Sequence, residues 1–136
     1  MASRELQPGD CLFEGSCLTV HLLPGDEAAA KEWNEDVAPA KLLAAFEAGD
    51  AQLLSPARRM RRERAEPLGK HEGGRVWEWK GPKRGKQIYR ALAYNPHGYT
   101  MYVAFAAEKK SQDLPSHWID TARDRITRAI SKGYQL

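Results

Sequence analysis

Residues 76–115 read VWEWKGPKRGKQIYRALAYNPHGYTMYVAFAAEKKSQDLP, and they hold the clearest strand pattern of the chain. It contains three runs rich in β-branched and aromatic residues, at 76–80, 87–94 and 100–105, and short polar turns separate them. Such runs are typical of antiparallel strands. Because lysine and arginine residues stand near the ends of the runs, the sequence predicts a small antiparallel sheet with a positively charged face.

Helical patterns lie on both sides of the predicted sheet. A strand at 17–23 is followed by a predicted helix that begins near Glu27, with Asp26 as its N-cap. Pro39 suits the first turn of a second helix. Apolar spacing after residue 114 predicts a C-terminal helix, and Gly133 suits its C-terminal cap.

These elements make one domain over residues 1–136, in which residues 1–10 are expected to be flexible. Pro67, Gly69, Gly73 and Gly74 predict a loop in front of the sheet. The predicted class is α+β: a small antiparallel, partly mixed sheet with two helices in the N-terminal half and one C-terminal helix.

Composition places further limits on the chain. Hydrophobic residues make up 42% of it, which is enough for one modest core in 136 residues. No apolar run approaches the roughly 18 residues of a membrane span, and the N-terminus lacks the apolar centre of a signal peptide. Cys11 and Cys17 match no common zinc spacing, so we interpret them as reduced thiols of a cytoplasmic protein.

Charge is unevenly distributed along the chain. Residues 58–110 carry 14 Lys or Arg against 5 Asp or Glu, whereas the rest carries 7 against 13. A cationic segment of this kind binds nucleic acid through the phosphates of the nucleic acid. The alternative interpretation is a solvated protein surface with uneven charge. Lysines at the edge of a sheet also prevent aggregation between sheets. The predicted nucleic-acid-binding residues are Arg58, Arg59, Arg61, Arg62, Arg84, Lys109 and Lys110.

Four motifs in order resemble a known family. They are the strand 76–80, the segment 85–90 that ends in Tyr-Arg, the apolar run 102–105 that ends in Phe, and the segment 109–115 from Lys-Lys to Pro. Together with the order of strands and helices, they resemble the RelE/HigB-like toxins of bacterial toxin–antitoxin modules, in the phage-derived HigB-type branch. The resemblance covers roughly residues 65–130 and implies a RelE-like fold.

The resemblance implies a metal-independent endoribonuclease without a cofactor that cleaves mRNA on the ribosome and is neutralised by an antitoxin protein. Such chemistry needs a base, a cation on the phosphorane and an acid. The resemblance assigns the cation to Arg90 and supporting roles to Lys80, Lys86 and Tyr134. The family tends to carry a histidine near the end of the chain, whereas none follows His117 here, so the acid and base are left open.

Two other functions are consistent with the sequence. Leu43, Phe46 and Gln52 loosely resemble peptides that dock on the bacterial replication sliding clamp, although the same spacing suits an amphipathic core helix. A toxin that blocks replication through the clamp is therefore one alternative. The other is a basic nucleic-acid-binding module whose sheet aromatics stack on bases. Alternation places Trp77 and Trp79 on the same face of the sheet.

Overall fold

The computed structural model describes residues 5–35, 39–54, 65–71, 73–81, 88–109 and 114–136. Its elements follow in the order β1 (Cys11–Glu14), β2 (Thr19–Leu22), α1 (Glu27–Glu35), α2 (Pro39–Leu53), β3 (Ala65–His71), β4 (Gly74–Lys80), β5 (Ile88–Asn95), β6 (Thr100–Lys109) and α3 (Ser116–Ser131). The predicted α+β class, with two helices in the N-terminal half and one at the C-terminus, is confirmed.

The strands form one six-stranded sheet in the order β1-β2-β6-β5-β4-β3. Neighbouring strands are antiparallel except β2 and β6, which are parallel, so the sheet is mixed. The pairing of β5 with β6 shifts between Leu92 and Ala93, which marks a β-bulge.

Two strands were not predicted from the sequence. The prediction of a loop at Pro67 and Gly69 is wrong, because these residues belong to β3. An edge strand tolerates proline, which lacks a backbone donor, and β3 pairs with β4 alone across an irregularity after Pro67. The other missed strand, β1, is only four residues long and pairs with β2.

Helices α1 and α2 pack on one face of the sheet and form the first core. Trp33, Phe46 and Trp79 are almost fully buried there, and Phe46 contacts both tryptophan rings. The predicted N-cap is confirmed, since the Ala29 N–H donates to Asp26 Oδ1 at 2.9 Å. Helix α2 continues through Gly49, where a Cβ atom would lie 2.6 Å from the Trp79 ring. Glycine therefore allows α2 to lie close to the sheet.

Helix α3 packs on the opposite face and forms the second core. Its Ala122, Ile126 and Ala129 are buried against side chains such as Val76 and Leu92. Gly133, at φ 90°, ends the helix as predicted: its N–H and the next one donate to the carbonyl groups of residues 130 and 129.

The buried side chain of Arg125 links α3 to the rest of the fold. Its guanidinium donates to both carboxylate oxygens of Glu32, at 2.7 and 2.8 Å, and to the Ala104 carbonyl at 3.0 Å. Burial opposes the charge, but these contacts with Glu32, helped by Asp26, outweigh it and raise the pKa of Arg125. The charged residue thus joins α1, β6 and α3.

Among the helices of the described ranges, none is long and apolar enough to cross a bilayer. The thiols of Cys11, which is exposed, and Cys17 are both free.

Candidate functional site

Strands β4 and β5 bring three charged side chains together, and we name Glu78, Lys80 and Arg90 the charged cluster. Lys80 lies directly opposite Arg90 in the antiparallel pair, and Glu78 lies opposite Leu92. Because alternate residues of a strand share a face, all three side chains lie on the same face as Leu92 and α3.

The members of the charged cluster differ in burial. Arg90 Nη1 donates a hydrogen bond to Glu78 Oε2, and these side chains are 1% and 3% exposed. Lys80 Nζ lies 3.6 Å from Glu78 Oε1, and its side chain is 22% exposed. Arg90 and Glu78 therefore form a buried ion pair, whereas Lys80 is accessible to solvent.

This geometry corrects the role predicted for Arg90. A guanidinium that stabilises a reacting phosphate must contact it, but in the folded protein the Arg90 side chain is inside, bonded to Glu78. A buried charge without a partner would be strongly destabilising. The first role of the Arg90 guanidinium is therefore to neutralise the carboxylate of Glu78. The charged cluster contains two of the predicted catalytic residues, Lys80 and Arg90, and of these two Lys80 is accessible to solvent.

Strand ends that adjoin the cationic segments of the sequence meet at one end of the sheet. The registers Ala65↔Trp79, Lys80↔Arg90 and Ile88↔Lys109 place the start of β3, the end of β4, the start of β5 and the end of β6 together. In sequence, residues 58–64 with five arginines precede β3, residues 82–87 with three cations join β4 to β5, and Lys110 follows β6. We name the end of the sheet that carries Lys80 and Lys109 the basic end of the sheet.

Several predicted site residues belong to segments outside the described ranges. They are Arg58, Arg59, Arg61, Arg62, Arg84, Lys86 and Lys110. Lys109 is the last residue of β6, at the basic end of the sheet. The roles predicted for the seven residues outside the described ranges stay predictions. The structure fixes only the positions at which the chain enters and leaves the sheet beside them.

Tyr134 is not part of the charged cluster. Its side chain is 43% exposed, and its ring lies beside Gly25, where a Cβ atom would be 2.4 Å from Tyr134 Cε2. Its N–H caps α3 by donating to the Ala129 carbonyl at 3.2 Å. Hydrogen bonds and ion pairs of the described residues do not connect it with Lys80 or Arg90, so the predicted joint catalytic role lacks support.

The residues of the clamp-docking interpretation of α2 lie in or against the core of the folded protein, which weighs against that interpretation. Phe46 is 0% exposed, because its ring lies 6.3 Å from that of Trp33 and 5.1 Å from that of Trp79. Gln52 is buried, and Leu43 packs partly on the same core. A peptide anchor must leave its own fold to enter a partner's pocket, and here the competing core interpretation is confirmed.

Most sheet aromatics are likewise committed to packing. Trp77 and Trp79 both contribute to the first core, which confirms that they share a face. Tyr94 is 2% exposed in the second core. The described aromatic side chains that remain well exposed are Tyr99, at 50%, and Tyr134. Base stacking on a broad aromatic sheet surface is therefore not available.

Sequence reasoning missed two carboxylates. Alternation within β4 already places Glu78 on the same face as Lys80, two positions away. Its nearness to Arg90 follows from the register of β4 with β5. Asp50 carried no signal, because its partners are the N–H groups of Ser16, Cys17 and Leu18, far away in sequence. Burial pushes the pKa of Asp50 upward, but the three donated hydrogen bonds outweigh burial and hold it below its ordinary value.

A cavity of about 380 Å³ lies between the start of α1 and the end of α3. It is lined by Arg125, Arg128 and Lys132 together with Asp26 and Glu27. Arg125 is already bonded to Glu32, so mixed charges leave this cavity without a defined ligand preference. No group of three or more His, Cys, Asp or Glu among the described residues could hold a metal ion.

Comparisons with known proteins added no relative. Searches against protein-family models, curated proteins and solved structures each found no match. The resemblance to the RelE/HigB-like toxins therefore stays a prediction.

Proposed function

We propose that the protein is the toxin of a bacterial toxin–antitoxin module, that it acts in the cytoplasm, and that its target is RNA. Its activity is cleavage of mRNA on the ribosome without a metal, and an antitoxin protein neutralises it. The single observation that carries the RNA target is that the four strand ends next to which the cationic segments stand in the sequence meet at one end of the sheet.

Electrostatics favours a polyanion at this end. The five arginines of 58–64 have one glutamate among them, and residues 82–87 have three cations and no acidic residue. Phosphate contacts of such groups release counterions, which provides sequence-independent affinity for nucleic acid. The strand ends next to which these segments stand in the sequence meet at one end of the sheet.

The order of elements also supports a toxin of this class. From β2 onward the chain reads strand, two helices, three strands of a sheet and a C-terminal helix once the edge strand β3 is set aside. This order is the one on which the family resemblance depends. Strands β1 and β3 extend the sheet at its two edges.

Burial of Arg90 changes how the proposed reaction is assigned. Attack of a ribose hydroxyl on the neighbouring phosphate builds negative charge that a cation must stabilise. Lys80, accessible and at the basic end, is the described residue that meets this requirement. The proton acceptor and donor are left unassigned, since no described side chain has the required contact.

The test is inducible expression in a bacterium, with pulse labelling of protein and of DNA synthesis. We expect growth to stop and protein synthesis to fall first, with new mRNA 5′ ends mapped by primer extension. Lys80→Ala should reduce cleavage, whereas the matched control Lys70→Ala, an exposed lysine of β3, should not.

Three outcomes contradict the proposal in different ways. A chain that is harmless at high expression is not a toxin. If DNA synthesis stops first, the target lies in replication, and a partner-binding mechanism replaces cleavage. If purified protein binds RNA but leaves it intact on translating ribosomes, the protein is a nucleic-acid-binding module.

A further inference from the structure

The β3–β4 hairpin brings two cations face to face near its turn. Lys70 of β3 and Arg75 of β4 are partners in the antiparallel register, and both side chains are exposed. Side chains that face each other in this way have Cβ atoms about 5 Å apart, and like charges at such positions repel each other. The free protein therefore keeps a repulsive pair at a position where strand pairing favours opposite charges.

Within the described part of the chain, neither of these cations has a counter-charge. Among the described residues, no hydrogen bond, ion pair or ring contact involves Lys70 or Arg75. On its other side, Arg75 faces Asn95 of β5, which is neutral and donates its side-chain N–H to the Gly98 carbonyl at 3.0 Å. This row of three side chains contains no carboxylate, so a ligand that brings one replaces a repulsion by an attraction.

Apolar surface adjoins the two cations on the same face of the sheet. Alternation places Trp77, which is half-buried, on the face of Arg75, and its partner on β3 is the exposed Pro67. Tryptophan and arginine are among the residue types enriched at the centres of protein–protein interfaces. This composition fits a protein ligand better than a polynucleotide, whose affinity comes mainly from a series of phosphate contacts.

Position separates the pair from the proposed RNA surface. Arg75 and Lys80 both belong to β4, and the strand between them spans about 17 Å. Because odd and even positions of a strand face opposite ways, Arg75 lies on the face of the first core, whereas Lys80 lies on the face of α3. An RNA strand beside Lys80 at the basic end is therefore on the other side of the sheet from Lys70 and Arg75.

We propose that Lys70 and Arg75 bind a carboxylate on an acidic segment of the antitoxin, and that Trp77 and Pro67 contact apolar side chains of the same segment. The guanidinium of Arg75 offers two parallel N–H groups to a carboxylate, and the ammonium of Lys70 adds a further donor. The identity of the partner rests on the proposed function, whereas the repulsive pair and the face on which it lies do not.

A stability measurement tests the pair without any partner. Lys70→Glu places opposite charges face to face and should raise the urea midpoint of the free protein. The double variant Lys70→Glu/Arg75→Glu again has like charges at these positions and should return the midpoint to the wild-type value. A midpoint of Lys70→Glu no higher than that of the wild type shows that the two cations do not repel each other, and it overturns the proposal.

Calorimetry with the protein encoded by the neighbouring gene tests the partner. Lys70→Glu and the double variant should weaken its binding by about tenfold or more, because charge-assisted contacts are lost. Lys31→Glu, at an exposed position of α1, makes the same change in net charge as Lys70→Glu and should weaken binding less than about twofold. Absence of binding to the wild type, unchanged affinity of Lys70→Glu, or an equal loss with Lys31→Glu overturns the proposal.

Two further outcomes separate this surface from the proposed function. If the folded Lys70→Glu variant loses mRNA cleavage, the pair belongs to the RNA surface, and the proposal is overturned. If the wild type binds the neighbouring gene's product but neither stops growth nor cleaves mRNA, the proposed function fails. In that case a loss of affinity in Lys70→Glu still supports a surface that binds acidic protein segments.

Discussion

Replacing Asp50 by asparagine tests the most specific polar contact of the fold. Its carboxylate accepts the N–H groups of Ser16, Cys17 and Leu18 at 3.0, 2.7 and 2.7 Å, and so ties α2 to the β1–β2 connection. An amide keeps one oxygen for two donors but turns its NH₂ group toward the third. It also removes the charge that strengthens the remaining bonds.

The expected loss can be worked out from these contacts. One lost hydrogen bond from a part-buried donor costs about 1 kcal/mol, and weakening two charge-assisted bonds costs about 0.5 to 1 kcal/mol each. Asp50→Asn should therefore lower the free energy of unfolding by about 2 to 3 kcal/mol at pH 7. The control is Asp10→Asn, since Asp10 accepts one exposed N–H, from Gln7 at 2.8 Å. It should change stability by less than about 0.5 kcal/mol.

The pH dependence has a defined sign. The pKa of Asp50 is lowered in the folded state, so its stabilisation is complete above the unfolded value, about 3.9. It is lost as the pH falls through the folded pKa. Urea unfolding at pH 7 and at low pH should show the gap between wild type and Asp50→Asn closing on acidification.

Neighbouring Gly15 offers a second test of the same contact. A Cβ atom there would lie 2.4 Å from Asp50 Cγ, so Gly15→Ala should displace the carboxylate. In an Asp50→Ala background the same change should cost much less, because the obstructing group is gone. The reasoning is refuted if Asp50→Asn is as stable as the wild type at pH 7, or if its deficit is the same at both pH values.

Two further substitutions test the buried residues that were predicted to be functional. Arg90→Leu should lower the free energy of unfolding by about 3 to 5 kcal/mol, because buried Glu78 would lose its hydrogen-bonded partner and keep the longer contact with Lys80 at 3.6 Å. Adding Glu78→Leu should recover part of the loss. Exposed Arg75→Leu on β4 is the control, and equal effects of Arg90 and Arg75 in urea unfolding would argue against a buried pair. Phe46→Ala should lower the free energy of unfolding by about 3 to 5 kcal/mol, whereas exposed Glu47→Ala should change it little. Full stability of the Phe46→Ala variant would disprove the place of Phe46 in the core.

Local patterns in the sequence were sufficient for most of the fold. The N-cap at Asp26, the glycine that ends α3 and the period-two runs of the central strands depend on neighbouring residues, and each is found in the structure. The edge strand β3 was missed because proline and glycine usually mark turns. Pairing with its neighbour in the sheet, β4, outweighs that local preference for a turn.

The candidate site was less predictable for a physical reason. Sequence alone gave no measure of burial, and burial decides which of the two cations, Arg90 or Lys80, meets solvent. Recognition of Arg90 as half of an ion pair needed the register that sets Glu78 beside it. Long-range partners such as those of Asp50 leave no pattern in the chain.

The single parallel strand pair has a consequence for synthesis of the chain. Strand β2 gains its neighbour in the sheet, β6, only after residues 100–103 have been made, whereas β3 to β6 pair with close neighbours in sequence. As the chain leaves the ribosome, the β1–β2 hairpin must wait, with its apolar side chains Val20 and Leu22 uncovered. Non-local pairing is slow, so this hairpin should be the last part to join the sheet and the part most exposed to chaperones and proteases before it does.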